Sequence, residues 1–176
     1  GSEGNLLGES PEHCHRLRVP RPVVTNDEME RIRHVNQGKL KATTLATVCQ
    51  IEKDEQGNTL NGGESLKNAL GNLFQKADEA IEKGFTILVL SDRDISNVNI
   101  PMPSLLACSG LHHHLIRKGT RTKVSLVVET GEAREMQHFA VLIGYGANVI
   151  NPYLAFETLE HEINRGAYPG GMTYAE

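Results

Sequence analysis

The chain has 176 residues, a length that fits one domain, or one domain with a tail. A hydrophobic share of 39% and a charged share of 23% are those of a globular protein and exclude disordered, collagen-like and mucin-like classes. Eighteen basic residues against 22 acidic leave a net charge of −4, which argues against the basic stripe of a generalist nucleic-acid binder.

In chain order, residues 1–41 read as an irregular lead segment, because Pro11, Pro20 and Pro22 interrupt any long periodic pattern. Within it, Asn26 followed by "DEME" offers an N-cap with acidic residues in the first turn, and a short helix is predicted over 26–33. The first ten residues carry no basic stretch and no apolar stretch, so no secretory signal is expected there. Residues 42–165 read as a core of repeated βα units. The β-branched run 43–51 predicts a strand, and the polar, glycine-rich run 52–64 predicts a loop. Ser65 is placed to cap a helix over 65–83, with Leu66, Leu70, Leu73, Phe74, Ala77 and Ile81 at helical spacing and Gly84 after them.

The pattern then recurs. The continuous apolar run 85–90 predicts a strand buried on both faces. A helix is predicted over 103–118, a strand over 123–128, a helix from Thr130 or Gly131 to about Ile143, a short strand over 147–150 and a last helix over 154–164. Residues 166–176 read as a loop-like tail. The longest apolar-rich run, 139–149, is interrupted by Gly144 and Gly146, so no transmembrane helix is predicted. Strand and helix thus alternate four times, which predicts an α/β fold with mainly parallel strands. Four units are about half of a complete eight-unit barrel. The expected architecture is a partial, TIM-barrel-like sheet whose edges another segment covers, with an open doubly wound sheet as the other possibility.

In such folds, chemistry collects at the C-terminal ends of the strands. Those ends read "SDRD" (91–94), "ETGE" (129–132) and "NPY" (151–153). Ser91, Asp92, Arg93, Glu129, Thr130 and Asn151 are therefore the candidate rim residues. They either cap helices and turns, or line a polar cavity in which Asp92 and Glu129 face Arg93. The triplet His112, His113 and His114 does not suit a metal, because consecutive helical residues fan out by about 100°. His112 falls in the middle of an apolar stripe of Leu105, Cys108, Leu111, Leu115 and Ile116, with His113 on its flank and His114 pointing away. His13 and His15, flanking Cys14, have no second ligand pair. The three cysteines, Cys14, Cys49 and Cys108, are scattered, so a reducing compartment is expected rather than disulfides, with Cys49 and Cys108 as inert core thiols. No glycine-rich stretch has the spacing of a nucleotide-phosphate loop.

Longer strings say more. "ILVLSDR", "IPMPSLLACSGLHHHLIRKGTRTKVSLVVETGEARE", "HFAVLIGYGANVINPYLAFETL" and "GNLLGESPEHC" resemble the central region of the glutamate synthase large chain, from about Gly4 to Leu159. The resemblance implies a polypeptide in which a glutaminase domain with an N-terminal Cys nucleophile precedes this segment. An FMN-binding barrel with an iron–sulfur cluster, and then a β-helix, would follow it. Such an enzyme converts glutamine and 2-oxoglutarate into two glutamates with electrons from NAD(P)H or ferredoxin, passing ammonia internally. It would be cytoplasmic, or plastidic in a plant or alga. Residue 1 is Gly and no cysteine triplet is present, so this segment is expected to hold no catalytic residue, no metal and no cofactor of its own. The flavin and 2-oxoglutarate loops are expected beyond Glu176. The segment's expected role is a scaffold between the flanking domains that helps to wall the ammonia path. Two rival readings are a freestanding small α/β enzyme with Asp92 and Glu129 as acid and base, and a metal-binding module built on the histidines.

Overall fold

Three apolar runs in the second half of the chain set the architecture, because each is too hydrophobic to face water on either side. The computed structural model describes residues 7–8, 14, 16–53, 55–60 and 62–167. Helix α1 (Asn26–Arg33) follows the lead, and a two-residue strand β1 (Asn36–Gln37) turns into β2 (Leu40–Ala46). Short strands β3 (Val48–Gln50), β4 (Glu52–Lys53) and β5 (Thr59–Leu60) precede the long helix α2 (Gly62–Glu82). Then come β6 (Ile87–Ser91), β7 (Asn99–Pro101), α3 (Ser104–Arg117), β8 (Ser125–Glu129), α4 (Met136–Gly144), β9 (Val149–Asn151) and α5 (Tyr153–Asn164).

The main sheet has the order β1-β2-β6-β8-β9. β2, β6, β8 and β9 are parallel, with Ser91 opposite both Ala46 and Glu129, and Glu129 opposite Asn151. These are the four βα units expected from the alternation, and the fold is mixed α/β with a mostly parallel sheet. Neighbouring strands follow one another along the chain, and α2, α3 and α4 all bury their apolar stripes on one face. There Leu88, Leu90, Leu126, Val128 and Ile150 meet Leu73, Ala77, Cys108, Leu111, Leu115 and Leu142. The alternate residues Ile87, Val89, Val127 and Val149 point the other way and are covered by Val24, Met29 and Ile32 of the lead and α1. The period-2 alternation thus explains why the central strands are apolar throughout.

The lead segment also guards the β9 edge. Val23 bridges Ile150 in parallel, with Val24 N–H donating to the Ile150 carbonyl at 3.0 Å and Ile150 N–H to the Pro22 carbonyl at 2.8 Å. A segment that reads as irregular from its prolines therefore satisfies a sheet edge, as the cost of a bare edge requires.

Several boundaries differ from the sequence expectation. The N-cap of α1 is Thr25 rather than Asn26: Glu28 N–H donates to Thr25 Oγ1 at 3.3 Å, and Thr25 N–H donates back to Glu28 Oε2 at 2.9 Å. The predicted strand 43–51 is broken at Thr47, whose N–H donates to the Ser91 carbonyl and whose carbonyl accepts from Met102 N–H. Past that bend, β3 leaves the main sheet and pairs antiparallel with β7, an element the sequence reading missed. The predicted loop 52–64 contains the β4–β5 pair, turned at Gly57 with a φ of +86°, and α2 starts at Gly62 rather than being capped by Ser65. Helix α4 starts at Met136, five residues after Gly131, with Glu135 as its N-cap and bends at residues 131, 132 and 135 before it. Residues 168–176 of the predicted tail lie outside the described residues.

Leu126 is fully buried at the centre of the helix-bearing face. Truncation to Ala leaves a cavity no neighbour can fill, so Leu126→Ala is expected to lower unfolding stability by about 2–5 kcal/mol. A denaturant titration that found less than about 1 kcal/mol would contradict this packing.

Candidate functional site at the strand ends

The parallel register brings Ser91, Glu129 and Asn151 side by side at one end of the sheet. Five of the six predicted rim residues are buried: Ser91, Asp92, Glu129, Thr130 and Asn151 are each at most 4% exposed. Arg93 alone of the six reaches solvent. They divide into three groups rather than lining one cavity.

Glu129 is the centre of the first. Its Oε1 accepts from Arg33 Nη2 at 2.6 Å and from Arg93 Nε at 2.7 Å, and its Oε2 accepts from Ser91 Oγ at 2.5 Å. Arg33 also donates to Glu30 at 3.2 Å, and Arg93 donates to Glu157 at 3.0 Å. The result is a ladder of alternating charge, Glu30–Arg33–Glu129–Arg93–Glu157, which runs from α1 across the end of β8 to α5. The Arg93 guanidinium lies 3.9 Å from the centroid of the Tyr153 ring, a cation–π contact. Partial burial lowers the Arg93 pKa, but the Glu129 and Glu157 carboxylates outweigh it and hold the group above its ordinary value.

Asp92 forms the second group. Its Oδ2 accepts from Thr130 Oγ1 at 2.6 Å and from Gly131 N–H at 3.1 Å. The Tyr153 phenol is pushed up, first by burial and then by the facing Asp92 carboxylate. Asp92 thus pins the loop after β8. Glu132 from the same loop accepts from Ser104 N–H at 2.7 Å and so caps α3, which is why α4 cannot begin at Gly131.

Asn151 is the third. Its amide donates to the Val24 carbonyl at 3.0 Å and to Asn26 Oδ1 at 2.9 Å, tying the lead segment to the end of β9. The expectation of two carboxylates facing one arginine is therefore reversed: one carboxylate, Glu129, faces two arginines. Arg33 was not among the sequence candidates. Its place in the last turn of α1, 96 residues from Glu129, left no signal in local spacing. Both carboxylates are buried and their oxygens engaged, so neither is open to a reactant as a general base.

The remaining candidates sit elsewhere. The His112 ring is half-buried and accepts from Arg121 Nε at 2.9 Å at Nδ1. Arg121 also donates to the carbonyls of Val124 and Gly146, each at 2.8 Å. Gly146 has a φ of +111°, and a Cβ there would collide with the His112 ring, so the residue must be glycine on both counts. Burial lowers the His112 pKa, and the Arg121 and His113 charges add to the effect. His114 does not point away: its ring stacks on Phe74 at 4.7 Å and bonds Asp78 at 3.0 Å, because α2 packs on that side. The apolar stripe of α3 also shifts. Leu105 and Ile116 are exposed, and Ala107 joins Cys108, Leu111 and Leu115 in the core. Among the described residues no three His, Cys, Asp or Glu side chains gather as a metal site; His13 and His15 lie outside those residues. Cys49 and Cys108 are buried and Cys14 is exposed. Burial pushes the Cys108 thiol up to about 11. No helix of the described residues is long and apolar enough to cross a membrane.

These features define an α/β domain whose strand-end rim, where enzymes of this class put their chemistry, is closed by its own side chains. The chain matches the family profile described as the glutamate synthase central domain over residues 1–175, and it belongs to that family. It is similar to the glutamate synthase (NADPH) large chain of Bacillus subtilis, with 42% identity over 166 residues, 94% of this chain and 10% of that protein. To glutamate synthase (NADH) of Schizosaccharomyces pombe it is 34% identical over 173 residues, 98% of this chain and 8% of that protein. To the chloroplastic ferredoxin-dependent glutamate synthase of Spinacia oleracea it is 39% identical over 160 residues, 90% and 9% respectively. The chain therefore spans about a tenth of the length of these curated relatives.

Two outcomes follow from the burial pattern. A thiol reagent at pH 8 is expected to modify Cys14 in the native chain and to reach Cys49 and Cys108 only on unfolding. Fast labelling of Cys108 in the folded chain would contradict its burial and raised pKa. Because the folded chain lowers the His112 pKa, the unfolded chain binds the extra proton first as pH falls. The stability that His112 contributes is thus complete above its ordinary pKa of about 6.5 and is lost as pH drops below it. His112→Gln is expected to flatten the stability–pH curve between about pH 7 and 5, and an unchanged slope would exclude the effect.

Proposed function

We propose that this segment is the connecting scaffold of a glutamate synthase, seated between a glutaminase domain and an FMN-binding synthase domain of the same polypeptide. In this reading the complete enzyme turns glutamine and 2-oxoglutarate into two glutamates, with NAD(P)H or ferredoxin as electron donor. The segment contributes walls to the ammonia path and no reacting group. The rim residues Ser91, Asp92, Arg93, Glu129, Thr130 and Asn151 belong to the side that meets the neighbouring domains, with Arg93 as the member within reach of them. Ammonia must stay neutral and away from bulk water to be transferred without loss, and a wall whose carboxylates are already engaged serves that need. Strands that neighbour one another in chain order, with their crossover helices on one face, support the further reading of the sheet as a segment of an incomplete barrel.

The observation that carries this reading is the closed rim. Glu129 and Asp92, the two groups a freestanding enzyme would use as acid and base, are spent on Arg33, Arg93, Ser91, Thr130 and Gly131. The donor set does not fit an iron–sulfur cluster either. Cys49 and Cys108 are buried in separate elements, and the Cys108 thiol is pushed away from the thiolate that a cluster requires. In the proposed arrangement the flavin and the cluster belong to the synthase domain. No nucleic acid or membrane partner is proposed.

The test has two arms. The purified 176-residue chain is expected to release no glutamate from glutamine and to bind no FMN; turnover of glutamine by it would overturn the scaffold reading. In a full-length glutamate synthase carrying this segment, Arg93→Ala is expected to leave synthesis from added ammonia within about twofold of wild type. It is also expected to raise the glutamine hydrolysed per glutamate formed. Equal losses with both nitrogen sources would place Arg93 outside the ammonia path.

A further inference from the structure

We infer that Glu129 is a positioning residue for which the two ends of the segment compete: the lead helix α1 and the last helix α5 are held by one carboxylate oxygen, so that tightening either seat loosens the other. Arg33 and Arg93 donate to the same atom, Glu129 Oε1, at 2.6 and 2.7 Å. Their guanidinium groups therefore sit side by side around a single negative charge. Each is attracted to the buried Glu129 carboxylate and repelled by the other, although both arginines are partly open to solvent. Arg33 is the last residue of α1. Arg93 carries the second seat, because it bonds Glu157 and covers the Tyr153 ring, both on α5. Ser91 occupies the other oxygen, Oε2, at 2.5 Å and keeps the carboxylate from turning to serve the two arginines separately.

Two independent ion pairs would add. A shared oxygen does not. Removing Arg33 leaves Glu129 wholly to Arg93, and removing Arg93 leaves it wholly to Arg33. Removing both strands a buried carboxylate with no cation. The segment thereby links the chain that enters the sheet to the chain that leaves it. Under the connector reading proposed above, on which this consequence rests, a shift of the domain before the segment is answered with opposite sign at the helix that leads to the domain after it.

The reporters are two amides in the first turns of the helices. Met29 N–H is bonded to the Thr25 carbonyl at 2.9 Å, and Phe156 N–H to the Pro152 carbonyl at 3.2 Å. Hydrogen exchange of both is followed by NMR in the 176-residue chain. Arg33→Met is expected to speed exchange at Met29 and to slow it at Phe156 by roughly threefold or more. Arg93→Met is expected to do the reverse. Arg33→Lys, which keeps the charge, is expected to leave Phe156 near its wild-type rate. Glu129→Gln is expected to speed both by roughly tenfold or more, and the double variant R33M/R93M to lose more stability than the two single variants together. If Glu129→Gln does not fold, the two arginine variants and their double still decide the matter. An unchanged or faster Phe156 amide in Arg33→Met, or additive losses in the double variant, would overturn the inference. These readouts concern the chain alone. Normal competition here with unaltered glutamine-to-glutamate coupling in the full-length enzyme would reject the connector reading and leave the shared oxygen standing.

Discussion

A carboxylate buried at the end of a β-strand is tolerable only if every lone pair it presents is met by a donor and its charge by a cation. Glu129 comes close to that condition with three donors, two of them cations, from two separate parts of the chain: Ser91 and Arg93 from and just after β6, and Arg33 from α1. Much of the described architecture follows. The lead must fold back across the sheet for Arg33 to arrive, and in doing so it brings Val24, Met29 and Ile32 over Ile87, Val89, Val127 and Val149. The outer rungs of the ladder, Glu30 and Glu157, are largely exposed and add little by themselves. They orient the two arginines toward the buried centre.

The second carboxylate of the rim works by a different principle. Asp92 meets no arginine and is satisfied by a hydroxyl and a backbone N–H of the loop after β8. That loop is thereby pinned as it bends away from the strand, and its Glu132 caps a neighbouring helix. Two acidic residues at adjacent strand ends thus do unlike jobs. One gathers distant elements by charge, and the other shapes a local turn by hydrogen bonding. Neither retains the solvent access that proton transfer to a bound molecule would need.

How much of this was legible beforehand depended on whether the signal was local. The strands β6, β8 and β9 and the helices between them could be read from apolar runs and 3.6-residue spacing, because both faces of the sheet are buried and period-2 polarity vanishes there. Ser91, Glu129 and Asn151 could be placed at one end of the sheet from the strand ends alone. Thr47 was misread, since a β-branched residue that bends a strand looks the same in sequence as one that continues it. β7 carried a weak cue in Ile95, Val98 and Ile100, which the neighbouring Ser, Asn and Pro obscured. Arg33 and the reversal of the charge pattern depended on a contact between residues 96 apart, and no window of neighbouring residues contains that information. His114 was misplaced because the side of α3 that α2 covers is set by the crossover, not by the composition of α3.

The pairing of Pro22 to Val24 with Ile150 has a consequence for how the chain is handled. β9 is only three residues long, and its outer hydrogen-bonding row is met by a piece of backbone that arrives from the opposite end of the sequence. A shortened version that begins at Thr25 would keep every helical residue, yet it would turn that row into an adhesive margin for any extended peptide, including another molecule of the same kind. Residues 22–24 are a cover strip for β9, and removing them leaves its outer row of backbone groups open to pairing with other strands.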